Sequence, residues 1–306
     1  MTKPGEILGF SSRLLESEHG GIHVREAGDG PVVLLLHGFP ETGLMWRDVA
    51  PALANDFRVI VADLPGYGRS ACPDPHDQDA MSKRRMAATL VSALRAAGHE
   101  RFAMIGHDRG GRVAYRAALD HPEQISHVGV LDVVPTFEVW ERADARLALS
   151  FWPFSLLAQP WPLPERLILA APEAVIDNAI NEWGSSSKVF PDRVRRAYIE
   201  ALSDADHVHA ICNEYRAAAG VDREIDGADL EAGREISCPL LALWSDQGAL
   251  ADWYETAGGP LGLWRRWATR AEGQAMSGGH FFPEEQPIVT ARCISVFLKV
   301  SVGHRP

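Results

Sequence analysis

The sequence predicts an α/β protein, with a mostly parallel central sheet flanked by helices and a helical cap inserted into it. Three observations carry that prediction. Short, uninterrupted apolar runs alternate with helical periods through the first 135 residues, as expected of parallel strands buried on both faces and joined by crossover helices. From Pro135 to about Asp229 no strand-like run occurs, and strand-helix alternation then resumes to the C-terminus. The predicted core is therefore residues 1–135 and 230–306, with the cap, residues 136–229, inserted after the sixth core strand.

The elements follow in order. Ile22–Glu26 and Val32–Leu36 read as strands, the second running into the turn His37-Gly38-Phe39-Pro40. Phe57–Ala62 is a third strand, closed by Asp63-Leu64-Pro65-Gly66-Tyr67-Gly68. Met81–Ala97 repeats apolar residues at helical spacing and stops at Gly98, a residue that ends helices readily. Arg101–Gly106 is a strand, Arg109–Leu119 a helix and Ile125–Val134 a strand, with Asp132 closing its apolar run. The insertion holds Trp140, Trp152, Trp161 and Trp183, a proline-rich stretch from Pro153 to Pro172, and helical patterns over Glu173–Trp183, Asp192–Leu202 and Asp206–Ala219. Strands over Pro239–Trp244 and Ala268–Met276 and a helix over Pro287–Val300 complete the chain.

Composition narrows the function. The 306 residues are 46% hydrophobic and 23% charged, which excludes fibrous, low-complexity and largely disordered proteins. The net charge of −11 repels phosphate backbones and anionic lipid, so neither nucleic acid nor membrane is an expected partner. It also repels small anions, unless a site supplies its own positive charge. Cys72, Cys212, Cys238 and Cys293 have neither CxxC nor metal spacing and read as reduced thiols. No apolar run reaches signal-peptide or membrane-spanning length, so a cytoplasmic protein is expected. His207 and His209, two apart on a predicted helix, point to different faces and make poor joint ligands. No metal and no cofactor are expected.

The most informative segment is Gly106-His107-Asp108-Arg109-Gly110-Gly111, between a strand and a helix. Small residues around a central acid suit a sharp, strained turn that presents Asp108 near a helix N-terminus, where backbone N–H groups can hold developing negative charge. The plain alternative is a glycine-rich turn with Asp108 as helix cap. Further features favour a catalytic reading. His37-Gly38-Phe39-Pro40 lies where a loop N–H can complete an oxyanion hole, and Ser277-Gly278-Gly279-His280 follows the last strand. Asp108, Asp132 and His280 thus occur in nucleophile, acid, histidine order at the C-terminal ends of strands.

On these motifs the chain resembles the α/β-hydrolase superfamily, in its aspartate-nucleophile branch of dehalogenases and epoxide hydrolases. The resemblance covers nearly the whole chain, through HGFP, DLPGYGRS, GHDRGGRVAYRAALDHP, LDVVPT, EYRAAAGVD, LALW and SGGHFFPEE. It is nearest to the haloacetate dehalogenases, fluoroacetate dehalogenases included. It implies the α/β-hydrolase fold, and hydrolytic dehalogenation of short 2-haloacids with haloacid and water as partners, a homodimer being left open.

Aspartate attacking an acyl carbon would give an anhydride, so its useful targets are saturated carbons: displacement of halide, or opening of an epoxide. His280 then takes a proton from water as it attacks the resulting Asp108 ester. Backbone N–H groups of Phe39 and Arg109 are the candidate oxyanion donors. Asp132 is favoured as the partner of His280, with Asp246 as a loop-capping carboxylate. Arg109 and Arg112 lie on one face of the helix start and can bind a carboxylate, which is also the role the resemblance implies for them. By the same resemblance, a His-Trp pair and a tyrosine that hold fluoride fall near Pro153, Phe154 and Gly220. None of these donates to a halide, so chloride or bromide is the expected leaving group. Trp183 matches a cap tryptophan of that pocket. Epoxide hydrolysis is the alternative and needs two cap acid donors, for which only Tyr215 and Tyr198 are available. A non-catalytic ligand-binding protein is less favoured, because Asp108, Asp132 and His280 are all present.

Overall fold

A computed structural model describes residues 6–77, 79–184 and 187–300. Its described residues form one eight-stranded sheet in the order β1-β2-β4-β3-β5-β6-β7-β8. The strands are β1 (Ser11–Leu15), β2 (Ile22–Ala27), β3 (Val32–Leu36), β4 (Arg58–Ala62), β5 (Phe102–His107), β6 (Ile125–Leu131), β7 (Leu240–Ser245) and β8 (Ala271–Met276). β1 and β2 pair antiparallel, β2 meets β4 antiparallel, and β3 to β8 run parallel.

The central strands are the apolar runs, because only such sequences tolerate burial on both faces. Leu34, Leu35, Leu36, Ile60 and Ile105 are fully buried. β1 has no such run: four of its five residues are exposed, as an edge strand allows. β6 stops three residues short of the expected Val134. Asp132 turns to φ 50° there, while its amide still donates to Leu243 O at 2.8 Å. β8 begins at Ala271 rather than Ala268, because the Ala268 amide is held by Trp264 O at 3.0 Å in the preceding turn.

Among the described residues, eight α-helices and no strand lie between β6 and β7. Helix α1 (Lys83–Ala96) and helix α2 (Arg109–Asp120) precede β6. The inserted helices are α3 (Thr136–Glu141), α4 (Ala145–Ser150), α5 (Trp152–Leu156), α6 (Leu163–Ala170), α7 (Pro172–Glu182), α8 (Asp192–Ala201), α9 (Ala205–Ala219) and α10 (Val221–Glu231). Prolines in the first turn of α5, α6 and α7 supply no N–H where none is needed, and cut the region into short pieces. α11 (Pro287–Val300) closes the chain. No helix among the described residues is long and apolar enough to cross a membrane.

The chain leaves the middle of the sheet in both directions from β3. The loops after parallel strands on either side of such a reversal form a crevice at the strand C-terminal ends. Asp63, just after β4, braces the neighbouring loops: it accepts from Arg25 Nη1 at 3.0 Å, Gly43 N at 2.8 Å and Arg69 N at 3.1 Å. Burial alone would raise its pKa; the His23 hydrogen bond and the Arg25 charge overcome this and hold it far below the carboxylate range.

Candidate active site

Asp108 stands between β5 and α2 at φ 45° and ψ −112°, a strained conformation costing on the order of 1–3 kcal/mol. Its neighbours show why they are glycines. A Cβ at Gly106 would lie 2.2 Å from the Gly110 backbone, and one at Gly38 would lie 2.5 Å from Asp108 Cβ. The close approach of Gly38 lets the Phe39 amide donate to Asp108 Oδ1 at 3.0 Å. The Arg109 amide heads α2, where helical N–H groups have no partner within the helix. Burial works against an ionised Asp108, but its basic neighbours His280, Arg109, His107 and Arg112 outweigh it and lower its pKa. The nucleophile candidate is therefore an anion with one oxygen on a backbone donor.

His280 and Asp132 come together across the ends of β6 and β8. His280 Nδ1 lies 2.6 Å from Asp132 Oδ2, and Asp132 Oδ1 accepts the Ser245 amide at 2.8 Å. A carboxylate only accepts, so the imidazole proton belongs on Nδ1 and Nε2 is left as the basic nitrogen. The His280 amide donates to Trp183 O at 2.8 Å, and the Trp183 ring meets the imidazole edge-on at 5.6 Å. Asp246 does not reach this histidine through any bond. Its Oδ1 accepts Gly278 N at 3.2 Å and its amide donates to Met276 O at 2.9 Å, so it steadies the loop that carries His280.

Arg109 and Arg112 are both buried beside Asp108, and Phe154 of α5 lies against both, 5.5 and 5.2 Å from their Cζ atoms. Arg109 is already half engaged. Its Nε lies 2.9 and 2.8 Å from the two Glu214 oxygens, its Nη2 lies 2.5 Å from Oε1, and its plane stacks 4.0 Å from the Tyr215 ring. Glu214 also meets Lys83 Nζ, which lies 3.3 Å from Asp222, and accepts from the Tyr67 hydroxyl at 3.3 Å. Burial would raise the Glu214 pKa, but Arg109 and Lys83 pull it below the usual value. Arg112 Nη1 donates to Val134 O and Thr136 Oγ1, both at 3.1 Å. Among the described residues, the buried Arg109 Nη1 and Arg112 Nε find no hydrogen-bond partner.

Glu214, Lys83 and Asp222 are site residues that sequence reasoning missed. They lie on α9, α1 and α10, and nothing in local spacing announces that three helices converge on one arginine. The single available signal was the acid directly before Tyr215.

Of the other cap positions, Pro153 and Phe154 are buried on α5 and Gly220 joins α9 to α10. Trp152 Nε1 is turned to Asn178 Oδ1 at 2.8 Å. Tyr215 is 3% exposed, and burial keeps its hydroxyl protonated; that hydroxyl makes no hydrogen bond among the described residues. Tyr198 donates to Glu284 Oε1 at 3.1 Å. His207 Nε2 faces Ser70 O and His209 Nδ1 faces Glu165. Among the described residues, no cluster of three side chains could hold a metal ion.

A family profile described as the alpha/beta hydrolase fold matches residues 31–155. The chain is 37% identical over 295 residues to a fluoroacetate dehalogenase from Burkholderia sp., covering 95% of this chain and 94% of that one. It is 28% identical over 279 residues to a soluble epoxide hydrolase from Corynebacterium sp. strain C12, covering 87% and 89%. Among solved structures, a protein from Nostoc sp PCC 7120 assigned to the alpha/beta hydrolases superposes with a TM-score of 0.90 at 39% identity, covering 94% and 98% of the two chains. One from Pseudomonas aeruginosa assigned as an epoxide hydrolase superposes at 0.91 with 39% identity, covering 97% and 98%.

Proposed function

The chain belongs to the α/β-hydrolase family, and from that premise we propose that it hydrolyses the carbon–halogen bond of short 2-haloacids. One observation carries the proposal: two buried arginines, each with an unsatisfied N–H, flank an ionised aspartate on a strained strand-helix turn. Of the two arginines, Arg109 is paired with Glu214, whereas Arg112 forms no ion pair with a carboxylate among the described residues and can meet one small carboxylate. Such a group held there presents its α-carbon to Asp108.

Asp108 displaces halide from the α-carbon, forming an ester as the carbon–halogen bond breaks and halide leaves with the electron pair. Asp108 loses its charge in that step, and the substrate carboxylate remains to balance the arginines. His280 Nε2 then removes a proton from water, whose oxygen attacks the Asp108 carbonyl carbon, and Asp132 stabilises the imidazolium. The oxyanion forms against the Phe39 amide, with the Arg109 amide as second donor. The hydroxyacid leaves, and one proton is released to solvent.

Chloride and bromide are the proposed leaving groups, since Pro153, Phe154 and Gly220 offer no side-chain donor to fluoride. In this reading residues 1–135 and 230–306 carry the chemistry and residues 136–229 cover it. Haloacid and water are the partners, and a homodimer is compatible with it. The four unbridged cysteines support a cytoplasmic location. Epoxide opening is the second reading, favoured by the free Tyr215 hydroxyl and weakened because the Tyr198 hydroxyl is engaged by Glu284. Halide release from chloroacetate and bromoacetate, measured beside diol formation from an epoxide, separates the two. The expected result is halide without diol; no halide from any haloacid overturns the proposal.

A further inference from the structure

This chemistry leaves unused a pair of buried acids behind the nucleophile. Glu41 follows Phe39 by two residues, and Glu284 follows His280 by four, in the turn Phe282–Glu285. Their side chains are buried, the residues being 2% and 4% exposed, and the two carboxyls are neighbours that act on each other's ionisation.

Donors are scarce there. Arg47 Nη1 and the Tyr198 hydroxyl both donate to Glu284 Oε1. Among the described residues Glu284 Oε2 finds no well-aligned donor, nor do the Glu41 oxygens, whose backbone neighbour is Gly38. His107 Nδ1 lies 3.2 Å from Glu41 Oε2, yet this ring's other nitrogen, Nε2, lies 2.8 Å from the carbonyl oxygen of His280. A carbonyl only accepts, so Nε2 carries a ring proton and spends it on that carbonyl rather than on Glu41. Two ionised carboxylates side by side, buried and with Arg47 as their shared cation, would repel strongly. One proton between them removes the like charge and supplies the missing hydrogen bond.

We propose that Glu41 and Glu284 share a single proton, and that this proton latches the loop bearing the oxyanion donor Phe39 to the loop bearing the base His280. Both are positioning residues: they act through Phe39 and His280. The groups facing the pair are Arg47, itself 3.1 Å from Asp48 through Nε, together with Tyr198, His107 and Asp108. Burial, reinforced by the Asp108 charge, pushes Glu41 up to about 8, and Glu284 rises as well. An acid raised in the folded state stabilises it most below the unfolded value, and that stability drains away as pH climbs through the folded one.

The catalytic half of this inference rests on the dehalogenase reading; the shared proton does not. Thermal unfolding of the wild type, Glu41→Gln and Glu284→Gln is therefore followed from pH 5 to pH 9. The wild-type midpoint should fall by several degrees more than either variant's, because an amide–carboxylate pair has no proton to lose. Parallel falls in all three proteins overturn the latch, and either variant alone suffices if the other does not fold. Halide release from chloroacetate supplies the second readout. Above pH 8 the wild type should lose rate by about tenfold per pH unit, and Glu284→Gln, with no shared proton to lose, should keep its rate nearly flat over that range. Superposed alkaline limbs overturn the positioning role. A pH-dependent difference in melting with no halide from any haloacid would leave the latch standing and remove the dehalogenase reading instead.

Discussion

At the scale of single residues, Asp108 combines a strained backbone with a charge its surroundings favour, and each property has a separate cause. Strain comes from the turn between β5 and α2 and is tolerated because Gly106 and Gly38 leave room. The anionic state is favoured by His280 and three neighbouring basic residues. Asp108→Asn should lower halide release at least about a thousandfold while the protein still melts cooperatively. His280→Asn should trap the ester, read as a mass increase on the intact protein after incubation with chloroacetate; steady turnover in that variant would contradict the second step. Arg112→Ala removes a cation from the carboxylate site and should raise KM for chloroacetate roughly tenfold to a hundredfold. Asp108, Asp132 and His280 were legible in the sequence because each follows a strand end that local pattern marks. Glu41, Glu214 and Glu284 were not. Their meaning lies in partners 243, 105 and 237 positions away or in contacts no spacing encodes: Glu214 with Arg109, and Glu284 with Arg47 and Glu41.

At the scale of elements, the loops after strands divide the labour. The loop after β6 carries Asp132, which orients the imidazole; the one after β7 carries Asp246, which holds the loop after β8. Asp132→Asn should cut turnover on the order of 10³–10⁴-fold, whereas Asp246→Ala should cost less than about tenfold. Equal losses would mean that both acids serve the histidine. Strands β3, β4, β5 and β7 were readable because burial on both faces demands apolar runs. β1 was not, since its exposed residues carry no such pattern. Helices α3 to α6 were hidden for another reason: they span five to eight residues each, too few to display a helical period, and prolines interrupt the stretch.

At the scale of the molecule, a net charge of −11 surrounds a site whose two arginines are buried. The two fields differ in reach. Salt screens the outer repulsion, as the Debye length shrinks from about 30 Å at 10 mM to about 8 Å at 150 mM, but barely touches buried charges. Over that range kcat/KM for chloroacetate should rise modestly, by about threefold or less; a steep fall would mean the attraction is on the surface. The ion pair between Arg109 and Glu214 has a mechanical consequence as well. It fastens α9 to α2, and Lys83 fastens the same carboxylate to α1. Lifting α9 would strip a buried charge of its partners, at about 3–5 kcal/mol, so that helix is a fixed wall. In the proposed reaction, entry of haloacid and exit of halide would then pass by the outer helices α4 to α6, where Leu149, Leu163 and Leu167 lie in solvent.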